Sequence, residues 1–253
     1  MSVLTLSELK GRADALLLSG GKGKGKLRTS FSHSDPISNA FNGFKQRNHG
    51  YTLVQIFMSV APYPSMHDDI CTVALEKGAN IVIVFLNKQV SYQGATGVNF
   101  PAIRIVNQNV LQKAPCSIGV LIDRGKVSEY TSIHLGYNMF CVTTLFFGGA
   151  DDREALAYSS RIADHPGVDF SLVWIRNLRD KKLEEPEKSK DLEMVDKFQA
   201  MKDRIGFKEE VVIDTVDTMR VLRSLRGNCD LCIVGRYHVF GVGGAAAAAG
   251  EGV

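Results

Sequence analysis

Residues 146–175 read FFGGADDREALAYSSRIADHPGVDFSLVWI, a stretch that writes a strand, a turn, a helix and a second strand in succession. Cys141 to Phe147 is apolar, rich in β-branched and aromatic residues, and stops at Gly148 and Gly149, as a buried strand does. Asp151 follows where a helix N-cap is expected. A carboxylate there accepts a hydrogen bond from an orphan N–H of the first turn, and Glu154 three residues on gives a capping-box pattern with Asp in place of Ser or Thr. Ala155, Leu156, Ser159, Ile162 and Ala163 fall on one face at helical spacing, and Pro166 and Gly167 end the helix. Val168 to Ile175 supplies the next strand. A crossover helix between two apolar strands predicts a parallel sheet.

Working outward, the alternation of strand and helix is sustained along the chain. Towards the C-terminus the pattern predicts a charged helix over 192–205, a strand over 211–213, a helix over 217–225 and a strand over 231–234. Towards the N-terminus it predicts strands over 3–9, 52–60, 81–86 and 117–122 and helices over 34–47 and 103–113, the last broken by Pro115. Ser65 is expected to cap a further helix, with Asp68 at the box position and Ile70, Val73 and Ala74 on its inner face. This is an α/β pattern with mainly parallel sheets.

The 253 residues suffice for one large domain or two small ones, and 45% apolar residues can build a core either way. Thirty basic against 27 acidic residues leave a net charge of only +3, too little for a surface that binds nucleic acid. The five cysteines lie in apolar strands or on helix faces, where they read as small buried hydrophobes in a reducing, cytosolic setting. No run approaches the roughly 18 to 20 apolar residues of a membrane-spanning helix, and no signal-peptide core is seen at the N-terminus.

An internal repeat divides the chain. Residues 79–84, ANIVIV, align with residues 229–234, CDLCIV, at an offset of 150, each copy following an amphipathic helix. Two modules result, 1–126 and 139–253, joined by a linker over 127–138. The copies are incomplete in complementary ways. The second has an opening strand and helix, 141–167, that the first lacks before Val3; the first has a closing helix and strand, 103–122, that the second lacks after Val234. GKGKGK (21–26) and GAAAAAG (244–250) read as linker-like sequence rather than core, the former as a solvated spacer whose lysines could approach anionic lipid.

Several segments together carry a family resemblance: MHDDIC (66–71), VNQNVLQKAPCSIGVLIDRG (106–125), FFGGADDREALAY (146–158), HPGV (165–168) and DLCIVGR (230–236). They resemble the cytosolic C-terminal region of plant cation/proton exchangers of the CHX family, and the resemblance covers roughly residues 1–240. It implies two universal-stress-protein-like (Rossmann-like) modules forming the soluble tail of a membrane antiporter. The implied function is regulation of potassium/proton exchange at a plant endomembrane or the plasma membrane, with the transmembrane antiporter domain of the same protein as partner. A homodimer is expected, since antiporters of this resemblance are dimeric and sheet edges are ready pairing surfaces.

The alternative from another class is a soluble nucleotide-binding stress-type protein. ATP-binding members carry G-x2-G-x9-G-S/T after the fourth strand, where backbone N–H groups cradle phosphate. Here Gly235 can serve as the first glycine, but His238 and Ala248 replace the second and third; in the first module Gly94 and Gly97 come too late and Asn107 replaces the third. The pattern is degenerate, so no cofactor is expected. Asp151, Asp152, Gly235 and Arg236 remain the candidate ligand pocket, set against the plainer reading that Asp151 caps the helix while Asp152 complements its positive end. Cys229 and Cys232 form a CxxC without a second ligand pair, and the six histidines show no metal spacing, so neither a metal site nor a catalytic residue is expected. His165 is placed at a helix C-terminus, where a cation is favoured and pH sensing is a weaker reading.

Overall fold

The computed structural model describes residues 1–8, 16–19, 36–50, 52–86, 100–122, 139–178, 185–201 and 204–237. The chain divides into two compact units, Met1–Ser128 and Glu129–Val253. The GKGKGK and GAAAAAG segments, Gly94, Gly97, His238, Ala248 and the expected linker 127–138 lie outside the described residues.

The second unit is a four-stranded, all-parallel sheet. Its strands are β6 (Phe140–Phe146), β7 (Val168–Asn177), β8 (Gly206–Val212) and β9 (Leu231–Val234), in the spatial order β8-β7-β6-β9. The intervening helices are α4 (Ala150–Ala163), α5 (Glu185–Gln199) and α6 (Thr215–Ser224). The chain steps outward from β6 to β8 and then returns to the other side of β6. That reversal puts a switch point between the carboxyl ends of β6 and β9, where parallel sheets form crevices. On one face, Val142, Phe146, Phe170 and Leu172 pack with Leu156 of α4 and with Val195 and Phe198 of α5. On the other, Leu145, Val173, Ile175 and Val212 pack with Val221 of α6. Consecutive residues of β6 and β7 thus feed opposite cores, which is why both strands are near-continuous apolar runs.

A buried polar contact reinforces the first face: the Thr144 hydroxyl donates to Ser159 Oγ at 2.6 Å, and the Ser159 hydroxyl donates to the Ala155 carbonyl at 2.7 Å. At the start of β9, Asp230 N donates to the Cys141 carbonyl and the Asp230 carboxylate accepts from Cys141 N, both at 2.9 Å. The Asp230 pair fixes the start of β9 beside β6.

The first unit holds the strands β1 (Ser2–Glu8), β2 (Leu16–Ser19), β3 (Gln55–Ala61), β4 (Ile81–Leu86) and β5 (Ser117–Ile122). Its helices are α1 (Pro36–Arg47), α2 (Met66–Glu76) and α3 (Phe100–Lys113). β1 and β3 pair in parallel, β2 adds antiparallel to β3, and β4 and β5 form a separate parallel pair. Ala61, Met66, Ile70, Val84, Val106 and Val110 make its core, and Leu4, Leu6, Val82 and Ile118 pack against it. Both sheets therefore contribute to one cluster.

The α/β expectation with mainly parallel sheets holds, while several local expectations are corrected. Asp151 is not the N-cap of α4. Gly149 takes that place at φ 98°, with no side-chain cap, and Asp151 sits in the first turn, because the turn after β6 needs a positive φ that an aspartate would resist. Ser65 does precede α2, but its hydroxyl donates to the Pro62 carbonyl at 3.1 Å instead of accepting from the helix, so the capping box with Asp68 is not formed. α5 starts at Glu185, earlier than its apolar residues suggest, and β8 begins at Gly206, since its solvent-facing lysine and glutamates hide the strand. α6 is capped by Asp214, whose carboxylate accepts from Asp217 N at 2.9 Å.

Leu156 is fully buried whereas Val234 is 45% exposed. Leu156→Ala is expected to cost about 3 kcal/mol in urea unfolding of the second unit, and Val234→Ala less than about 1 kcal/mol.

Candidate functional site at the β6–α4 turn

The turn from β6 into α4 brings backbone N–H groups to the switch point, and Asp152 collects them. Its Oδ2 accepts from Phe147 N at 2.7 Å and Gly148 N at 3.0 Å, and its Oδ1 accepts from Gly235 N at 2.7 Å, just beyond β9. The residue is only 1% exposed. A carboxylate so buried is sustained by charge-assisted bonds, and Asp152 lies in the first turn of α4, where the helix dipole favours negative charge. Asp152 thereby ties β6, α4 and β9 together across 83 residues of sequence.

Gly235 is required by this closeness. A Cβ there would meet Asp152 N at 2.6 Å and the Asp151 carbonyl carbon at 2.7 Å, as well as the Asp152 carboxylate. Asp151 reaches the same chain segment, its Oδ2 accepting from Tyr237 N at 3.2 Å. Of the four residues singled out from the sequence, Asp151, Asp152 and Gly235 thus meet. Arg236 follows Gly235 directly, but its guanidinium lies over the Tyr237 ring, 4.9 Å from the centroid.

Sequence reasoning missed the second layer of this site. Asp191 of α5, 7% exposed, accepts from Gly149 N at 3.0 Å and pairs with Arg153, which also pairs with Glu187. A carboxylate from a different helix thus bonds the N–H of the N-cap residue of α4. A signal was present: Asp191 stands four residues before Val195 and seven before Phe198, both on the inner face of α5, so a carboxylate occupies a core stripe. Burial alone would lower the Arg153 pKa, but hydrogen bonds to Glu187 and Asp191 outweigh it and raise the guanidinium above its ordinary value. Hydrogen bonds from Lys190 and then Arg153 hold the Glu187 carboxyl below its ordinary value of 4.5.

The remaining sequence candidates are quieter. His165 stands just beyond α4, where its Nδ1 accepts from Gly167 N at 3.0 Å and closes the turn into β7. All five cysteines are free. Burial is the main factor that raises the Cys71, Cys116 and Cys141 thiols, which disfavours the reactive thiolate. Cys229 Sγ donates to the Leu225 carbonyl at 3.8 Å, and Cys232 is exposed within β9. In the first unit His67 is buried, its Nε2 lying 2.7 Å from Lys113 Nζ and 3.1 Å from Asp68 Oδ1.

Two family models account for most of the chain. One described as the plant cation/H(+) antiporter domain matches residues 1–126, and one described as the plant cation/H(+) antiporter C-terminal domain matches residues 139–250. The chain belongs to the plant cation/proton antiporter family. Among curated relatives from Arabidopsis thaliana, Cation/H(+) antiporter 14 is 39% identical, over 94% of this chain and 30% of its own length. Cation/H(+) symporter 13 is 38% identical over 93% of this chain and 28% of its own, and Cation/H(+) antiporter 15 is 34% identical over 92% and 31%. This antiporter-family chain thus spans about three-tenths of the length of the curated relatives it matches. No solved structure matches it. Among the described residues no helix is long and apolar enough to cross a membrane.

Removing the Asp152 carboxylate strands three backbone donors at a helix N-terminus. Asp152→Ala is expected to destabilise the second unit by about 3 kcal/mol. The vacated donors then form an anion site: millimolar inorganic phosphate should raise the melting temperature of Asp152→Ala while leaving that of the unaltered chain in place. Equal shifts in both would refute the arrangement. Because the folded pKa of Glu187 is depressed, its stabilising contribution is present above its unfolded value near 4.5 and is lost as pH falls through the folded value. Stability measured from pH 7 down to pH 3 should therefore fall less steeply at the acid end in Glu187→Gln.

Proposed function

We propose that this chain is the non-enzymatic regulatory part of a plant monovalent cation/proton antiporter, carrying potassium against protons, and that it sits on the cytosolic side of the membrane. It consists of two universal-stress-protein-like modules, 1–126 and 139–253 with 127–138 as linker, and it acts on the transmembrane antiporter domain of the same protein. The domain biases the transporter by binding one of its conformational states more tightly than another, through dimerisation or through a sensed ligand or partner.

The observation that carries the reading is the carboxylate at the switch point. In a nucleotide-binding module of this topology the N–H groups of Phe147, Gly148 and Gly235 would face a phosphate, and here they are taken by Asp152 of the chain itself. Arg153, Asp191 and Glu187 hold the turn from the other side, so the site is built as a clasp. A clasp suits a domain whose work is to hold shape and transmit it. The names of the relatives, antiporters and one symporter, supply the transport context.

The test uses the full-length antiporter in potassium-loaded vesicles, following proton movement as pH is varied. Deleting residues 139–253 is expected to change the pH dependence or maximal rate by several-fold while exchange persists; loss of all exchange, or an identical profile, would count against a regulatory role. Calorimetric titration of residues 1–253 with ATP, ADP and AMP should give no heat of binding. Tight ATP binding with hydrolysis would instead favour a nucleotide-dependent stress-type protein.

A further inference from the structure

The two units are built on one plan, and laying them over each other exposes a missing piece in the first. β4 aligns with β9 at an offset of 150, so Ile81 corresponds to Leu231 and Val84 to Val234. Each follows a helix, α2 or α6, that follows a strand, β3 or β8. β3 pairs in parallel with β1 from Ser2↔Gln55 to Glu8↔Ala61, and β8 pairs in parallel with β7 from Ser171↔Gly206 to Asn177↔Val212. The two registers have equal length, so β1 takes the place of β7. In the second unit β6 lies between, pairing on one side with β7 and on the other with β9. Among the described residues of the first unit no strand joins β1 to β4, and the sheet stops on either side of the place β6 would fill. Yet Leu4 and Leu6 of β1 share a core cluster with Val82 and Val84 of β4, so the two separate sheets pack on one core.

A second observation concerns the helix that should accompany that strand. In the second unit Leu231 and Ile233 of β9 pack on the cluster built around Leu156 of α4. Their counterparts are Ile81 and Ile83. Ile83 is 47% exposed and Phe85, next along the same face, 60%, while Val82 and Val84 on the opposite face are covered by α2 and α3. An apolar face beside two open strand edges is a surface that a further element can cover.

We propose that β1 and β4 are the receptor for a parallel strand followed by an amphipathic helix, supplied by the same polypeptide ahead of Ser2. The strand pairs with Ser2–Thr5 on one side and Ile81–Val84 on the other, as Thr143–Phe146 pairs with Ser171–Trp174 and Val142–Leu145 with Leu231–Val234. The helix lays its apolar stripe over Ile83 and Phe85. A contiguous source follows from the connection: α4 runs into β7 through the short turn at Asp164–Gly167, so its counterpart runs into β1 at Ser2. Phe85 stands where the second unit has Gly235, so the incoming helix carries no close counterpart of the Asp152 clasp and packs on a phenyl ring instead. Completion makes one six-stranded sheet in the order β2-β3-β1, the added strand, β4-β5.

Hydrogen exchange followed by mass spectrometry tests this. Residues 1–253 are compared with the same chain extended by about 40 residues of its own coding sequence, enough for one strand, one helix and their turns. Amides of Ser2–Thr5 and Ile81–Val84 should exchange at least 100-fold more slowly in the extended form, and Ile83→Asp should lower the melting temperature of the extended form alone. Should the extended chain not fold, the segment added as a peptide must give the same protection. Equal exchange in all forms overturns the proposal. Full protection in residues 1–253 alone overturns it as well, because the chain would then fill its own gap, and protection that grows with protein concentration would assign the gap to a second copy.

Discussion

The second unit depends on how one buried carboxylate is paid for in hydrogen bonds. Asp152 stands at the positive end of α4 and satisfies donors from the end of β6 and from beyond β9. Without those bonds, ionised Asp152 would be too costly to bury; without Asp152, the N–H groups at the switch point would need water or an anion. The constraint propagates outward. It demands glycine at 235, since a side chain there would collide with α4, and it fixes the turn at Gly148 and Gly149, both at positive φ. Asp191 and Arg153 then lock that turn to α5. At the switch point, where other parallel sheets bind ligands, these N–H groups donate to the chain's own carboxylate.

The units share a plan but not their finish. In the second, β6 is central and every neighbouring contact is organised around it, with α4 and α5 on one face and α6 on the other. In the first, α2 and α3 cover one face of β4, while its other face and one strand edge are open among the described residues. In the second, Val234 is half exposed among the described residues, where the first unit covers Val84 with α2 and α3.

Legibility varied with the kind of element. β4, β5 and β9 were readable to the residue because continuous apolar runs bounded by Gly, Pro, Asn or Asp have little alternative. β8 and α5 were harder: Lys208, Glu209 and Glu210 lie in a strand at the edge of the sheet, and α5 has charged residues over much of its surface, so hydrophobic pattern understated both. At the candidate site the sequence pointed to Asp151, Asp152 and Gly235, which do meet. It could not tell a cap from a clasp, because Gly235 N, which donates to Asp152, and Asp191, which accepts from Gly149 N, lie just beyond β9 and in α5, far along the chain.

By itself the sequence determined the α/β class, the alternation that makes the sheets parallel and the family, since these rest on local periodicity and on motifs read residue by residue. Tertiary structure alone decided what the acidic turn is for and which strands lie side by side. Both are matters of pairing between residues distant in sequence. A carboxylate's role is set by which donors surround it, and a strand edge by which neighbour lies alongside; neither is written in the spacing of its own residues.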